Sequence, residues 1–425
     1  MLKQLGLNFK LGITKEKITP RSGVAVYAEM LKKLNVDLLI DKYMPLPASN
    51  RGYKPSFYII PLMLMLFSGG RHIEDVKELI YDTTITELTG IRIPSSSTYG
   101  DWLRRLGKTG LNGFKKVIYE INKRLLSLDK NTEYTLFIDP TMIEANKFDA
   151  AKTYMGFKGY RPIIATLNKI PIILFHEFKD GNVSGADVKV LEEIFNIINL
   201  SGKKITHVSI DSEFYSSGVI EYLTSKKVTF TISADKTSSM KEQIKRTGNW
   251  TEFKTIDGVM TDRLIGENIY CMEKSDPFRI VVLKWIKKEA ELFEQDTYCY
   301  HVIATNLDIP KEEVIYEYNK RVSIENVIKE LKIGFGMEDI PTGDYFANAL
   351  FFAIGVLVYN TAVIMKLHLL PEEFRNKTIE TIRWSVINTA GRLINHGRQL
   401  VLLLASTIDK LILYERIRDN CFIFA

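Results

Sequence analysis

Four side chains with separate chemistry stand at spacings of 3, 4 and 7 in Tyr318-Asn-Lys-Arg321-Val-Ser-Ile-Glu325-Asn-Val-Ile-Lys-Glu-Leu-Lys332. They are a phenol, a guanidinium, a carboxylate and an ammonium. On an α-helix of 3.6 residues per turn, Tyr318 and Lys332 fall about 20° to either side of Glu325, and Arg321 about 40° away. At about 1.5 Å of rise per residue the stripe is roughly 21 Å long, or about six rises of one nucleic-acid strand at ~3.4 Å each. Such a ridge suits a metal ion at the carboxylate and phosphates at the cations. The plain alternative is a solvated, ion-paired face, since Arg and Glu four apart contribute only about 0.2–0.5 kcal/mol on a surface helix.

Two further acids sit where β-rich runs end. Asp139 follows Tyr134-Thr-Leu-Phe-Ile138, and Asp211 follows His207-Val-Ser-Ile210, about 70 residues further on. Either alone reads as a turn or cap residue. Ligand sites in open α/β sheets are nevertheless built at strand ends. Carboxylates a few ångströms apart repel by about 4 kcal/mol per pair at an effective dielectric near 20, so three gathered acids call for hard cations. Mg²⁺ accepts one or two carboxylates plus phosphate oxygens, and a pair of ions about 4 Å apart can serve a phosphodiester displacement.

The elements that must position these groups divide the chain into five parts. Residues 1–130 read as mostly helical, with helix-like apolar spacing over Val24–Leu34, Pro55–Phe67, Ile73–Tyr81 and Leu111–Leu126. Within them, Thr83–Thr89, Gly90 and the serine-capped Ser95–Arg105 fit a helix-turn-helix that offers Arg104, Arg105 and Lys108 to phosphates. An ordinary helical hairpin with a solvated basic end fits as well. Residues 131–236 carry strand runs Tyr134–Ile138, Pro162–Leu167, Ile170–Phe178, Thr206–Ile210 and Val228–Ser233, with helical patterns Ala186–Ile198 and Ser217–Lys226 between them. That order indicates an α/β domain opening on a three-strand meander. Residues 237–300 read as a β-rich insertion, with Val259–Leu264, Arg279–Trp285 and Tyr298–Ala304 as strands. Helical patterning returns over 301–370 and carries the stripe, and 371–425 form a C-terminal region with a Val401–Leu404 strand.

Bulk properties exclude several classes. Three cysteines are too few and scattered for a disulfide framework or zinc site, and no signal-peptide pattern opens the chain, so a cytoplasmic setting is expected. Ala347–Met365 is long and apolar, but Asn348, Gly355, Tyr359 and Asn360 interrupt it, so a buried core helix is expected and no membrane partner. Of the net charge of +6, residues 1–130 hold 21 Lys/Arg against 12 Asp/Glu, or +9, which leaves −3 for the rest. A basic front end assigns polyanion binding to the N-terminal part.

With these residues in hand, the chain resembles the DDE transposases of bacterial insertion sequences, in the group with a Tyr-x2-Arg-x3-Glu-x6-Lys signature. That signature stands ungapped at Tyr318, Arg321, Glu325 and Lys332. Ile138-Asp-Pro-Thr-Met-Ile-Glu-Ala-Asn-Lys147 with Gly156-Phe-Lys-Gly-Tyr-Arg-Pro162 is similar to the family's first-aspartate block, and Asp211-Ser-Glu-Phe-Tyr215 to its second. Ala304-Thr-Asn-Leu307 and Phe346-Ala-Asn348 resemble the glutamate's surroundings. The resemblance implies an RNase H-like catalytic core in which Asp139, Asp211 and Glu325 bind two Mg²⁺ ions, with Mn²⁺ able to substitute. It also implies cut-and-paste transposition by hydrolysis and strand transfer, through a hairpin on the element end. Arg321 and Lys332 would hold phosphates and Tyr318 the backbone. The partners would be double-stranded DNA, as terminal inverted repeats and target, with a dimer in the paired-end complex. A catalytically silent DNA-binding descendant and an RNase H-like nuclease without strand transfer remain the competing readings.

The chain departs from the family pattern in places. Pro140 removes a backbone donor beside the first aspartate, and Val322 stands where Trp is frequent. Glu213, on a strand, would share a face with Asp211. Of the insertion's tryptophans, Trp285 reads as a core-facing strand residue. Trp250, after Gly248-Asn249, reads as a loop residue able to stack a base displaced at the cut.

Overall fold

The computed structural model describes residues 9–49, 51–183, 187–273, 275–287 and 298–424. The β-rich runs fall where alternation and β-branching place them. Glu133–Pro140, Ile163–Leu167 and Ile173–Glu177 form an antiparallel meander. Lys204–Ile210 and Thr229–Ser233 then add in parallel on the other side of the first strand. In chain order these five strands lie 3-2-1-4-5. The crossover helices Val188–Leu200 and Ser217–Ser225 fit the expected patterns, although Ala186 lies outside the described residues.

Strands from the β-rich stretch continue the same sheet. Tyr298–Thr305 pairs antiparallel with Thr229–Ser233, and Phe278–Ile286, Met260–Tyr270 and Thr251–Lys254 follow in turn to make nine strands. One helix here, Ser238–Lys245, has no counterpart in the sequence reading. It is mostly polar and buries only Met240 and Ile244, too few positions to set up a visible period.

The apolar segment Tyr345–Ile364 is a core helix rather than a surface one. Asp344 caps it by accepting from the Ala347 N–H at 2.8 Å, and every residue from Ala347 to Ile364 is buried. The meander covers one side and the N-terminal helices the other. Asn360, fully buried, bonds the Asn122 side chain at 2.8 Å and the backbone of Ile173 at 2.8 and 2.9 Å. Tyr27 meets Thr361 at 2.7 Å. Gly355 makes room there for Met337, whose sulfur lies 1.9 Å from where a Cβ would stand.

The N-terminal helices are Gly23–Lys33, Val36–Tyr43, Ser56–Ser68, Val76–Tyr81, Thr83–Thr89 and Ser97–Leu128. The last is kinked at Gly107, whose φ of 52° and ψ of −148° are non-helical. Near the C-terminus Gln399–Leu404 pairs with Gly391–His396, which also holds Ile18–Thr19.

Two buried histidines give the fold a pH dependence. Burial pushes His176 down to about 3, and it pushes His207, held between the Thr229 and Thr231 hydroxyls at 2.9 and 3.2 Å, down to about 4. Both are neutral when folded and titrate near 6.5 when unfolded. Their contribution is therefore complete above pH 6.5 and is lost as pH falls toward the folded values. Between pH 7.5 and 5, urea titrations should show the wild type losing about 2 kcal/mol more than His176→Leu. Parallel losses in the two proteins would contradict a buried neutral imidazole.

Candidate active site

Strand register brings the two aspartates together. Ile138 pairs with Ile210 across the parallel central strands, so Asp139 and Asp211, the next residues, stand side by side at the C-terminal strand ends. Asp211 accepts from the Ser212 N–H at 2.6 Å and starts a 3₁₀ turn, Ser212–Phe214. That turn takes Glu213 off the strand direction expected for it. Its carboxylate is ion-paired with Arg161, which reaches it from just before the Ile163–Leu167 strand.

The signature residues do not lie on one continuous α-helix. Lys311–Asn319 and Val322–Lys329 are separate helices joined by a tight turn, with Arg321 N bonded to Tyr318 O and Ile324 N to Arg321 O, both at 3.0 Å. A π-helical turn, Glu330–Gly334, follows. The single stripe expected from constant 3.6-residue periodicity is thus broken on both sides of Glu325. The turn packs Tyr318 into the sheet beside Ile303 and His301, its ring 5.4 Å from the imidazole, and the Arg321 guanidinium lies against the same ring, 5.6 Å from its centre. Lys332 donates to the Met142 carbonyl at 2.7 Å, tying the loop after Asp139 to the glutamate segment.

Arg321 lies 3.0 Å from Asp139 and 3.8 Å from Glu325. The first is a close ion contact rather than an aligned hydrogen bond, because that guanidinium nitrogen has no hydrogen-bond partner. Burial pushes the Asp139 carboxyl up to about 6. Arg321 opposes this, and the charges of Asp211 and Glu325 add to it. For Arg321 burial works against the charge, but Tyr318, Asp139 and Asp211 outweigh it and hold the guanidinium above its ordinary range. Both directions follow from one geometry, in which a single cation faces more than one carboxylate.

The donor types fit hard divalent ions. With Arg321 between Asp139 and Glu325, however, no group of three or more His, Cys, Asp or Glu side chains among the described residues closes into a metal-holding cluster. Glu325 is about half exposed.

The other sequence candidates lie apart from this centre. Arg104, Arg105 and Lys108 are exposed on the Ser97–Leu128 helix, with Arg104 paired to Asp101 at 2.6 Å. Trp250 precedes the outermost strand, six strands from Asp139, or roughly 29 Å at about 4.8 Å per strand. Its indole donates to Thr247 O at 3.0 Å, its ring lies against Gly266, and Lys284 covers it at 4.1 Å. Trp285 is half-buried on the sheet face that carries Tyr318, beneath Arg263 at 4.9 Å. The sequence assigns no separate role to Arg161, although it stands in the Gly156–Pro162 block, or to His301, since their partners are 52 and 17 residues distant.

Two aspartates on neighbouring strand ends, faced by a glutamate that an arginine bridges, define a mixed α/β protein with a three-acid centre. The chain belongs to the transposase DDE domain group 1 family, whose model matches residues 7–419. It is similar to piggyBac transposase in a solved synaptic complex with hairpin DNA, at 10% identity and a TM-score of 0.48, over 87% of this chain and 81% of that one. No curated protein matches.

Proposed function

We propose that this DDE-family transposase moves a bacterial insertion sequence by cutting and rejoining double-stranded DNA, as a member of the Tyr-Arg-Glu-Lys signature group. The observation that carries the reading is the pairing of Asp139 and Asp211 at adjacent parallel strand ends, with Arg321 running from Asp139 to Glu325. The 3-2-1-4-5 strand order supports an RNase H-like core. Asp139, Asp211 and Glu325 are the residues that would hold divalent ions, Mg²⁺ or Mn²⁺. When bound, such ions activate the attacking oxygen and stabilise the leaving one.

The chain's own groups do the rest. Arg321, drawn off the carboxylates, is in reach of a phosphate at the cut. Lys332 fixes the Met142 loop and so the angle of Asp139. Tyr318 holds Arg321 from the sheet side. Arg104, Arg105 and Lys108, in the N-terminal part with its nine excess positive charges, bind the terminal repeat. Two ends are joined by at least two copies, in a cytoplasmic, nucleoid-associated setting.

The test is a duplex of the inverted repeat flanking the gene, incubated with the full chain, Mg²⁺ and a supercoiled target. A nicked end, a hairpin product and joined molecules are expected. Cutting without joining would leave a nuclease, and binding without cutting a silent DNA-binding protein.

A further inference from the structure

Between Asp139 and the rest of the meander the chain builds a small arm that the catalytic reading does not use. Ile143–Glu144, Lys158–Tyr160 and Ala151–Lys152 form a three-stranded sheet, and the last two make a hairpin. The arm is rigid. A Cβ at Gly159 would lie 2.2 Å from the Ile143 carbonyl, and the Thr153 N–H bonds Phe157 O at 2.7 Å across the tip. Gly156, at φ +93°, closes the turn. The turn presents Tyr154, 75% exposed, and Met155, 61% exposed, side by side.

The hairpin strands that carry this apolar tip are cationic. Lys152 and Lys158 are directly opposed in the hairpin register, and both are exposed. Like charges in that position are unfavourable without an anion between them, and neither has an ion-pair partner among the described residues. Residues 151–161 hold three cations and no acid. Arg161 sits 5.5 Å from the Tyr154 ring centre and is ion-paired with Glu213, two residues past Asp211. Two contacts therefore join the tip to the acidic centre, and Lys332 ties the arm's root to the glutamate segment.

We propose that Tyr154 and Met155 form a wedge that enters duplex DNA beside the cut phosphate and unstacks one base step, with Lys152 and Lys158 gripping the flanking phosphates. The proposal rests on the transposase reading. Apolar wedges set between cations are a general means of kinking DNA, and a stacked aromatic takes the place of the displaced neighbouring base.

The test uses the full chain and the flanking inverted-repeat duplex, with 2-aminopurine placed singly at each base around the cut. Binding by the wild type should raise fluorescence at one position. Tyr154→Ala/Met155→Ala should bind the duplex with unchanged melting temperature, lose that signal and cut about tenfold more slowly. A substrate already unpaired at that step should restore its rate. Lys152→Gln/Lys158→Gln should lower the log–log salt slope of binding by about 0.9 for each phosphate no longer neutralised. A wild-type complex with no fluorescence rise, or a double variant that keeps the signal and the rate, overturns the wedge. A wild type that raises the fluorescence but never cuts overturns the transposase reading and leaves the wedge standing.

Discussion

Asp139→Asn is expected to abolish Mg²⁺-dependent cleavage while leaving binding to the repeat intact, and Asp211→Asn and Glu325→Gln should do the same. Removing one negative ligand from a dication site forfeits about 4 kcal/mol at an effective dielectric near 20, or about a thousandfold in rate. DNA affinity should hold or rise slightly, because an acid that repels phosphate has been neutralised. The Asp139 variant also has a signature that a merely damaged protein would lack. Burial and the neighbouring carboxylates disfavour the charged form of Asp139, so an uncharged isostere should raise the melting temperature of the metal-free protein at neutral pH. Cleavage within tenfold of wild type by any of the three variants would remove that residue from the site. A lower melting temperature for Asp139→Asn in EDTA would contradict the electrostatic account.

The sequence made the strands and acids legible for a physical reason. The run Leu136–Ile138, buried on both faces, is apolar throughout, and the Asp139 carboxylate that follows it stands out. Which strands share a sheet was not legible. Met260–Tyr270 and Phe278–Ile286 have visible β character, but nothing local says that they extend the sheet of Asp139. The stripe failed where its assumption failed. Periodicity presumes constant pitch, and both the turn at Arg321 and the π-helical turn after Lys329 change it. A strand continued past Asp211 would put Glu213 on the same face, yet Asp211 caps its own turn and Glu213 pairs with Arg161. Gly248-Asn249 correctly marked a turn before Trp250, with Asn249 at a φ of 53°. Local sequence could not say that the ring folds back onto Gly266, sixteen residues on in the Met260–Tyr270 strand. Local chemistry was readable, and partners set by register or by long-range charge were not.

Arg321→Ala should lose cleavage and, in the same protein, enlarge the response to metal. The guanidinium is mostly buried, touches Asp139 and reaches Glu325. In the metal-free protein it is the cation that offsets the carboxylates on each side of it. Removing one partner of a buried pair typically costs about 3–5 kcal/mol, so the variant's melting temperature in EDTA should fall well below wild type. A divalent ion replaces that missing charge. Millimolar Mg²⁺ should therefore recover most of the loss, giving a larger metal-induced shift than in wild type, where the ion must first displace the arginine. Cleavage should remain down by about 10²–10³-fold even with metal, because the donor proposed to face the phosphate is gone. Arg321→Lys should fall between the two, since an ammonium keeps the charge but lacks the planar fork that spans two carboxylates. The outcome that would sink this account is an Arg321→Ala protein with wild-type stability in EDTA and a wild-type Mg²⁺ shift. The arginine would then be a bystander at the acids, and its place between Asp139 and Glu325 would need another explanation.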